Sequence, residues 1–564
     1  MRATRSSVNS PTSDRPAGFP TVPAAVVSEA RPDWNVRVEA REYWILTALL
    51  SLVAIVALSF FHSRNEILLS GDAVAHISIA RRVFDSRTPG PLQLGSVWLP
   101  LPHLLTIPFI VSKAMWQSGI GGSVISVVSY VLAGVGLFRL LYPWSRIAAW
   151  IATAFFAANP NLLYVQSTAL NEPLYLACFI WAAVFFVEAA RYFVQSEQIA
   201  ARSLEKGAMA LTAGIFTRYD GWFLASVCWA AFLINALQAL RETPEALIRL
   251  RKAVFKPLLL TALGPTLWMA YNLGVYKNPM DFANGPYSAK AIAQRTTEQG
   301  APPYPGEDHL FTAGTYFLKA AQLDIGEREP AKILLIVAFF SSLAFILRRA
   351  WLPMALLWSP LAFYSLSIAY GSVPIFVPVW WPFSYYNVRY GLELLPAIAA
   401  GVGLVIPMVR KSWRSPSAQT AATAAILLLA SLSYFQCWKA IPVCLREVRV
   451  NGSARMELDR RLATVLASLP QGSTVLAYTG AHAGAFQFAG FPLRRTINEG
   501  NLFIWDASLA HPASGTDYVI AAEGDPVAKS VLDHPVGLTK IAFVQVGGQG
   551  QVMLYKTTRS QRMP

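Results

Sequence analysis

The chain of 564 residues is poor in charge, and it has only four cysteines. Asp, Glu, Lys and Arg make up 14% of the residues, whereas 54% are hydrophobic. A soluble chain of this length would need a charged surface around its core, so the composition excludes an ordinary soluble protein. The sequence also lacks a Walker-type phosphate loop, a His-Glu-x-x-His motif and any cluster of Cys and His, which excludes the sites built from those motifs.

Long apolar runs separated by short loops fill most of the sequence. Since a spanning helix needs ~20 apolar residues, these runs predict a mainly α, polytopic membrane bundle of about eleven spans. The first span is predicted at residues 43–61. The others are predicted near residues 121–142, 147–165, 172–192, 206–218, 220–240, 257–276, 333–348, 351–370, 391–409 and 420–438. The short run 206–218 is interpreted as a partial crossing, and the proline-containing segment 98–116 as a shallow interfacial helix.

Lys and Arg, which give the chain a net charge of +15, recur in the short loops between the apolar runs. The positive-inside rule places such loops in the cytoplasm, so this charge indicates orientation rather than binding to nucleic acid. If the N-terminus is cytoplasmic, all of these basic loops lie on the cytoplasmic face of the membrane. The sequence therefore predicts a multi-pass protein of a bacterial inner or plasma membrane. The basic residues concerned are Arg139, Arg146, Arg191, Arg202, Lys206, Arg241, Arg249, Arg251, Lys252, Lys256, Arg348, Arg349, Arg410, Lys411 and Arg414.

Three regions follow from these patterns. Residues 1–42, rich in Pro, Ser, Ala and Arg, are predicted to be a disordered cytoplasmic tail. Residues 43–440 are predicted to form the transmembrane domain, with outer loops 62–120 and 277–332. Residues 441–564 are predicted to form a small extracytoplasmic α/β domain. Its predicted strands are 475–478, 518–522, 541–544 and 552–555, and its predicted helices are 456–469 and 526–532.

The four cysteines divide into two pairs by position. Cys178 and Cys228 lie in predicted spans and are expected to be core residues. Cys437 and Cys444 lie at the entry to the C-terminal region, where an oxidising compartment would allow them to form a disulfide.

The first outer loop contains an ionisable pair, Asp72 and His76, in Gly71-Asp-Ala-Val-Ala-His-Ile-Ser-Ile-Ala-Arg-Arg82. The two residues lie one turn apart on a predicted helix, 72–84, and so share a face. Ionisable groups at a membrane are expensive to keep unless they have a function. Asp72 is therefore a candidate general base, the alternative being a helix N-cap. His76 is a candidate to orient Asp72 or contact phosphate, the alternative being a polar surface residue.

Further polar candidates lie at span ends that the predicted topology places on the same outer face. Glu172 begins the fourth span, where it is either catalytic or merely complements the helix dipole beside a capping Asn171. Arg218 and Asp220 form a substrate-binding pair or simply neutralise each other. All of these residues lie within reach of loop 62–120 if the topology is right.

Arg389 and Tyr390 start another predicted span at the same face. A cation beside several tyrosines suits an anionic headgroup, so both residues are candidates for binding substrate phosphate. The alternative for Arg389 is an ion pair with Glu393, four residues further along a helix.

This pattern resembles the GT-C superfamily of glycosyltransferases, which includes protein O-mannosyltransferases and lipid A aminoarabinose transferases. In those enzymes the first outer loop carries an Asp followed by a short helix similar to Ile79-Ala-Arg-Arg82, and a second acidic residue stands near the position of Glu172. A proline-containing juxtamembrane helix then precedes the second span, as Leu99-Pro-Leu-Pro-His103 does here. The resemblance covers most of residues 43–440, chiefly through topology. Many relatives have Asp-Glu where this chain has Asp72-Ala73, and Lys-Pro-Pro-Leu where it has Leu-Pro-Leu-Pro.

The resemblance implies a hexosyl- or pentosyltransferase that takes its sugar from a polyprenyl-phosphate donor. The acceptor would be a lipid, glycan or protein on the extracytoplasmic face, and a single displacement with Asp72 as base would invert the anomeric centre. A divalent metal, Mg or Mn, held by Asp72, Glu172 and His76 remains open at this stage. So do two other functions, a membrane transporter or flippase and a non-catalytic polysaccharide-assembly protein. A transporter is expected to carry ionisable groups deep in several spans.

Overall fold

The computed structural model describes residues 38–193, 195–242, 246–296, 302–348, 351–412 and 415–558. Most of the N-terminal tail predicted from the sequence, residues 1–37, lies outside the described residues.

Helices form nearly all of the described chain before residue 468. The α-helices are α1 Ala40–Ser63, α2 Gly71–Arg82, α3 Leu101–Ile110, α4 Lys113–Ser118, α5 Ile120–Leu141, α6 Arg146–Ala157, α7 Pro160–Val165, α8 Glu172–Tyr192, α9 Glu197–Ile215, α10 Asp220–Glu242, α11 Ala246–Tyr276, α12 Asp281–Asn284, α13 Ala289–Thr296, α14 Leu310–Ile325, α15 Glu329–Leu347, α16 Trp351–Tyr370, α17 Leu395–Ser412, α18 Pro416–Ala440 and α19 Val443–Ala467. Helices α3 and α4 replace the single interfacial helix predicted at 98–116. Short 3₁₀ helices cover Pro91–Leu94 and Val388–Leu394.

Among the described residues, nine helical segments are long and apolar enough to cross a membrane. They make the protein a multi-pass integral membrane protein, but they do not confirm the predicted number of about eleven spans. The nine are Ala40–Ser63, Ile120–Leu141, Glu172–Tyr192, Asp220–Gln238, Lys252–Tyr276, Glu329–Leu347, Trp351–Tyr370, Val388–Arg410 and Pro416–Ala467.

Two predicted spans have a different form in the structure. The run 147–165 is not one helix, because Asn159 and Pro160 divide it into α6 and α7. The Asn159 side chain accepts a hydrogen bond from the Leu162 backbone N–H at 2.9 Å, which is the usual way a new helix begins before a first-turn proline. Residues 206–215 of the run 206–218 form the second half of helix α9, which is not among the nine apolar segments.

The C-terminal region contains the small α/β part that the sequence predicts. Its strands pair in the order β2-β1-β3-β5-β4, with β1 parallel to β2 and β3, and β5 antiparallel to both β3 and β4. Apolar side chains pack on both sides of this sheet. The elements are β1 Val475–Ala477, α20 Thr479–Ala489, β2 Thr496–Ile497, α21 Trp505–Ala510, β3 Tyr518–Ala522, α22 Pro526–Asp533, β4 Leu538–Val544 and β5 Val552–Thr557.

The link between the bundle and the sheet differs from the prediction in two respects. The helix predicted at 456–469 is the second half of α19, which begins at Val443. Cys437 and Cys444 are free thiols on the two sides of the turn between α18 and α19, so the suggested disulfide is absent. Both lie buried beside Asn161, which bonds the Cys444 backbone N–H at 2.9 Å.

Candidate active site

Helix α2 presents Asp72 at its N-terminal end. The capping residue is Ser70, whose hydroxyl accepts a bond from the Ala73 backbone N–H at 3.5 Å. The alternative that Asp72 itself is the N-cap is therefore wrong. Asp72 lies in the first turn, where the helix dipole stabilises a carboxylate, and its Oδ2 accepts a short hydrogen bond from Arg389.

Arg389 joins α2 to the start of α8. Its Nε donates to Glu172 Oε1 at 2.9 Å while an Nη donates to Asp72. The alternative suggested for Arg389, an ion pair with Glu393, is not among its contacts. Residues 388–394 are a 3₁₀ helix with three residues per turn, so side chains four apart do not lie above one another.

Arg218 forms the second half of the same network. It donates to Glu172 Oε1 at 3.1 Å through Nη1, and to Asp220 Oδ2 at 3.0 Å through Nε. Its Nε also lies 3.2 Å from Glu393 Oε1, so Glu393 pairs with Arg218 and not with Arg389. Glu172 Oε1 is thus shared by two guanidinium groups, which identifies this buried carboxylate as the link between them.

Two tyrosines complete the network. The Tyr390 ring lies 5.2 Å from the Arg389 guanidinium carbon and 4.8 Å from that of Arg218, within cation–π range of both. The Tyr364 hydroxyl lies 2.8 Å from both Asp220 Oδ2 and Glu393 Oε1, and it accepts a bond from Arg218 at 2.9 Å. These contacts hold the arginines rigidly, so little of their conformational entropy is left to lose when a ligand binds.

His76 has a partner that sequence reasoning missed. Its Nδ1 lies 2.9 Å from Nε2 of His103, and its ring centroid lies 4.3 Å from that of Trp98. Burial lowers the pKa of His76 to about 4 and places the pKa of His103 well below its usual value. At neutral pH the pair is therefore uncharged, and His76 offers an anion a hydrogen bond at most.

These residues form one wall of a cavity of about 2190 Å³. Cavities that hold a single drug-sized ligand measure roughly 300–1,000 Å³, so this one has room for two substrates. The Asp72 side chain is 44% exposed, whereas that of Glu172 is 2% exposed. Asp72 is thus the carboxylate of the network that a substrate can reach. The lining of the cavity also includes Thr479 and Glu499, which follow β1 and β2.

The residues suggested for a divalent metal do not fit one in this arrangement. Asp72 and Glu172 both turn their oxygens to Arg389, whose positive charge stands where a cation would have to be. The third suggested ligand, His76, faces His103 instead. In the parts of the chain that the structure describes, no group of three His, Cys, Asp or Glu side chains is placed to hold a metal ion.

The structure therefore gathers Asp72, Glu172, Arg218, Asp220, Arg389, Tyr390 and His76 around a single cavity. Sequence reasoning missed His103, Tyr364 and Glu447, a buried residue of α19 whose Oε1 lies 3.7 Å from Nη1 of Arg389. His103 had a signal in its proline-rich segment, whereas Tyr364 and Glu447 stand in helices whose sequence shows nothing unusual.

The fold matches that of a solved membrane protein. The crystal structure of ArnT from Cupriavidus metallidurans bound to undecaprenyl phosphate gives a TM-score of 0.56 at 14% identity, covering 93% of this chain and 100% of that one. The apo structure of ArnT from the same organism gives 0.55 at 14% identity, over 92% and 98% of the two chains. At this level of identity the likeness shows that the two proteins share a fold.

Other comparisons add little. The oligosaccharyltransferase of Archaeoglobus fulgidus, tethered with an acceptor peptide containing the NVT sequon, gives a TM-score of 0.45 at 11% identity. That match covers 92% of this chain and 74% of that chain, and its score is too low to support a conclusion. The sequence matches no protein-family model and no curated protein.

Proposed function

We propose that this protein is an integral-membrane glycosyltransferase that moves a sugar from a polyprenyl-phosphate donor to an acceptor on the extracytoplasmic face. The observation that carries the proposal is the pair of Asp72 and Arg389 at the wall of a large cavity. It combines a reachable carboxylate with a fixed cation, which are the two groups that such a transfer needs. The fold supports it, since ArnT shares this fold and its crystal structure contains undecaprenyl phosphate.

The reaction is a single displacement at the anomeric carbon. Asp72 takes the proton of an acceptor hydroxyl, and the oxygen attacks the anomeric carbon as the bond from that carbon to the phosphate oxygen breaks. The bonding electrons leave with the lipid phosphate, whose added negative charge Arg389 and Arg218 stabilise. The anomeric configuration inverts, because no carboxylate forms a covalent intermediate.

The donor itself would make Asp72 available as a base. While Asp72 is bound to Arg389, its Oδ2 already accepts a hydrogen bond from a guanidinium group and is not free for the acceptor hydroxyl. A phosphate that binds Arg389 competes with Asp72, the most exposed of its acidic partners, and releases it toward the acceptor. Glu172 is buried and keeps both arginines in place during this exchange. Proton abstraction is thereby linked to the presence of the donor.

The position of the ionisable groups favours an enzyme over a transporter. Glu172, Asp220 and Arg389 lie at or within two residues of the ends of apolar segments. The network therefore lies at one end of the bundle and not in the middle of the spans. Two other ion pairs lie at the ends of helices that point away from the network. Glu42 of α1 pairs with Arg146 of α6 at 2.6 Å, and Arg139 of α5 pairs with Glu188 of α8 at 2.7 Å. Basic residues at that end support a cytoplasmic assignment for it, and hence an extracytoplasmic cavity.

Two variants test the proposal in full-length protein reconstituted in lipid nanodiscs. Arg389→Gln is expected to weaken binding of undecaprenyl phosphate by about tenfold or more, because a charge-assisted bond is lost. Asp72→Asn is expected to retain that binding but to slow transfer by about 10²- to 10⁴-fold, since the general base is lost. Transfer is measured by mass spectrometry as release of undecaprenyl phosphate from a panel of its hexose and pentose derivatives, with an envelope extract as acceptor.

The matched control is Glu329→Gln. Glu329 forms an exposed ion pair with Lys332 at 2.7 Å, remote from the network in its contacts, so this change should leave binding and transfer as they are. Undiminished transfer by Asp72→Asn would remove Asp72 from the role of base. Undiminished binding by Arg389→Gln would refute the phosphate site.

A further inference from the structure

Helix α19 carries a polar stripe along one face. Glu447, Asn451, Arg455 and Asp459 follow each other at four-residue spacing, so they lie roughly above one another. Glu447 and Asp459 are buried, although Glu457, a neighbour in sequence on another face, is exposed. Arg455 is partly buried and Asn451 is exposed, yet each of the four side chains has a partner on another segment or in the stripe, and the partners show what the helix does.

The first two members hold the turn that carries Arg389. Glu447 accepts bonds from the backbone N–H groups of Asn387 and Val388, at 2.8 and 3.0 Å. Asn387 has a φ of 56°, in the left-handed region that Asn adopts more readily than most residues, and the bond to its N–H helps to fix the turn there. Asn451 donates to the Tyr385 carbonyl at 3.0 Å. Three backbone groups just before Arg389 are therefore fixed by α19.

The third member holds the turn that leads to Asp72. Arg455 donates to the carbonyl groups of Leu68 and Leu69, at 3.1 and 3.0 Å, immediately before the Ser70 cap of α2. A second arginine of α19, Arg449, pairs with Glu66 in the same turn. Helix α19 therefore also fixes the segment that sets where α2 begins.

The fourth member connects the stripe to the sheet. Asp459 accepts a bond from Arg455 at 2.7 Å, and its other oxygen lies 3.5 Å from Nδ1 of His482 in α20. Helix α19 thus contacts the turn before Arg389, the turn before α2 and helix α20, which follows β1.

We propose that α19 sets the distance between Asp72 and Arg389, with Glu447 as the positioning residue for Arg389 and Arg455 as the positioning residue for Asp72. This inference rests on the proposed function, because it assigns donor binding to one turn and proton abstraction to the other. It distinguishes the two residues by the step that each supports. Loss of Glu447 loosens the arginine that binds phosphate, whereas loss of Arg455 misplaces the base.

The two residues are tested in the full-length protein in nanodiscs, with undecaprenyl phosphate as ligand and undecaprenol as its uncharged counterpart. Glu447→Ala is expected to weaken undecaprenyl-phosphate binding by about tenfold, because two buried N–H groups lose their acceptor and the turn relaxes. Glu447→Gln keeps one carbonyl acceptor and is expected to recover part of that loss. Binding of undecaprenol should stay constant, since it does not depend on the arginine.

Arg455→Met is expected to affect transfer and not binding, the reverse of Glu447→Ala. Binding of undecaprenyl phosphate should change by less than about threefold, whereas the transfer rate at saturating donor should fall by about tenfold or more, since a small misplacement of a catalytic group is costly. Glu457→Gln is the matched control on the same helix. It removes an exposed pair with Arg461 at 2.8 Å and should change neither measurement.

The outcomes separate the two proposals. If Arg389→Gln binds undecaprenyl phosphate as tightly as the unchanged protein, the proposed function fails and the positioning roles fail with it. If Arg389→Gln loses binding but Glu447→Ala does not, only the positioning role of Glu447 is overturned. A third outcome would overturn the inference. If Glu447→Ala and Arg455→Met both weaken the binding of both ligands and slow transfer to the same extent, and both lower the unfolding temperature, then α19 has only a structural role.

Discussion

At the scale of single residues, the network is governed by the need to partner buried charge. Arg218 and Arg389 are largely buried, and each is surrounded by more than one carboxylate. Breaking a buried ion pair by removing one partner is strongly destabilising, and loss of Glu172 would take a carboxylate from both arginines at once. A ligand phosphate avoids that penalty, because it replaces the one carboxylate that water already reaches. Asp72 is therefore the partner that can be exchanged.

The histidine pair makes stability depend on pH in a stated direction. Burial lowers the pKa of His76 from 6.5 to about 4, so between these values the unfolded chain takes up a proton that the folded chain does not. Stability is thus fully present above the unfolded pKa and falls as the pH drops, by at most about 1.4 kcal/mol per pH unit for each histidine. His103 acts in the same direction. The apparent unfolding temperature in nanodiscs is expected to fall between pH 7 and pH 5.

The control is a double variant, His76→Gln with His103→Gln. Glutamine keeps a donor and an acceptor but does not titrate in this range, so the unfolding temperature should depend less on pH than in the unchanged protein. Equal pH dependence in both proteins would show that these histidines are not buried as neutral groups.

Residue types predicted much of the site, but not its pairing. Asp72 was identified as an ionisable group in an outer loop, and Glu172 and Arg389 as charges at the ends of apolar spans; the structure brings the three together. The alternative pairing of Arg389 with Glu393 assumed α-helical geometry, whereas the segment is a 3₁₀ helix. Glu447 could not be found, because its importance comes from a contact 60 residues away in the chain.

At the scale of elements, close helix packing fixes where α2 lies. Gly122 in α5 is buried, and a Cβ added to it would stand 2.6 Å from Ile77 Cγ1 in α2 and 2.8 Å from Ala169 Cβ. Both distances are shorter than van der Waals contact, so α2 and α5 approach this closely only because residue 122 has no side chain.

Gly122→Ala is therefore expected to push α2 away from α5. Overpacking of this kind typically costs about 1–3 kcal/mol, and the shift of α2 should also slow transfer by moving Asp72. Gly274→Ala in α11 is the matched control, since nothing lies within 4 Å of a Cβ added there. That change should leave the unfolding temperature unchanged or raise it, because alanine is the better helix former. If both variants unfold alike, the tight contact at Gly122 does not position α2.

Local chemistry explains which elements were predicted correctly and which were not. The strands around Tyr518 and Val552 were found from their apolar and β-branched residues. The break between α6 and α7 was missed, although Asn159 and Pro160 carry a helix-start signal, because an apolar run was given more weight than its caps. Strand β2, with two residues, is too short to leave a pattern in the sequence.

At the scale of the whole molecule, composition and loop charge were sufficient for the class of fold. They predicted a helical membrane bundle with a small α/β region, which agrees with the fold of ArnT at only 14% identity. How the α/β region sits on the bundle could not be predicted, because it depends on contacts between segments far apart in the chain. Arg82 in α2 and Glu499 after β2 form one such contact, at 3.1 Å.

Glu499 joins the two parts of the molecule beside the cavity. Its carboxylate also accepts bonds from the backbone N–H and the hydroxyl of Thr479, both at 2.8 Å. Asp525 has a similar local role after β3, where it caps α22 through the Ala528 N–H at 2.5 Å. Of these two acids, Glu499 also bonds Arg82 in helix α2, whereas the contacts given for Asp525 are local.

Glu499→Ala is therefore expected to loosen both sides of the interface, whereas Asp525→Ala should loosen the sheet region alone. Hydrogen–deuterium exchange should rise in residues 479–502 and also in α2 for the first variant, because Arg82 loses its partner and α20 its N-terminal acceptor. For the second variant, exchange should rise around α22 while α2 stays protected. Since α2 carries Asp72, Glu499→Ala should also slow transfer more than Asp525→Ala does. Unchanged protection of α2 in Glu499→Ala would show that the bundle alone holds this helix in place.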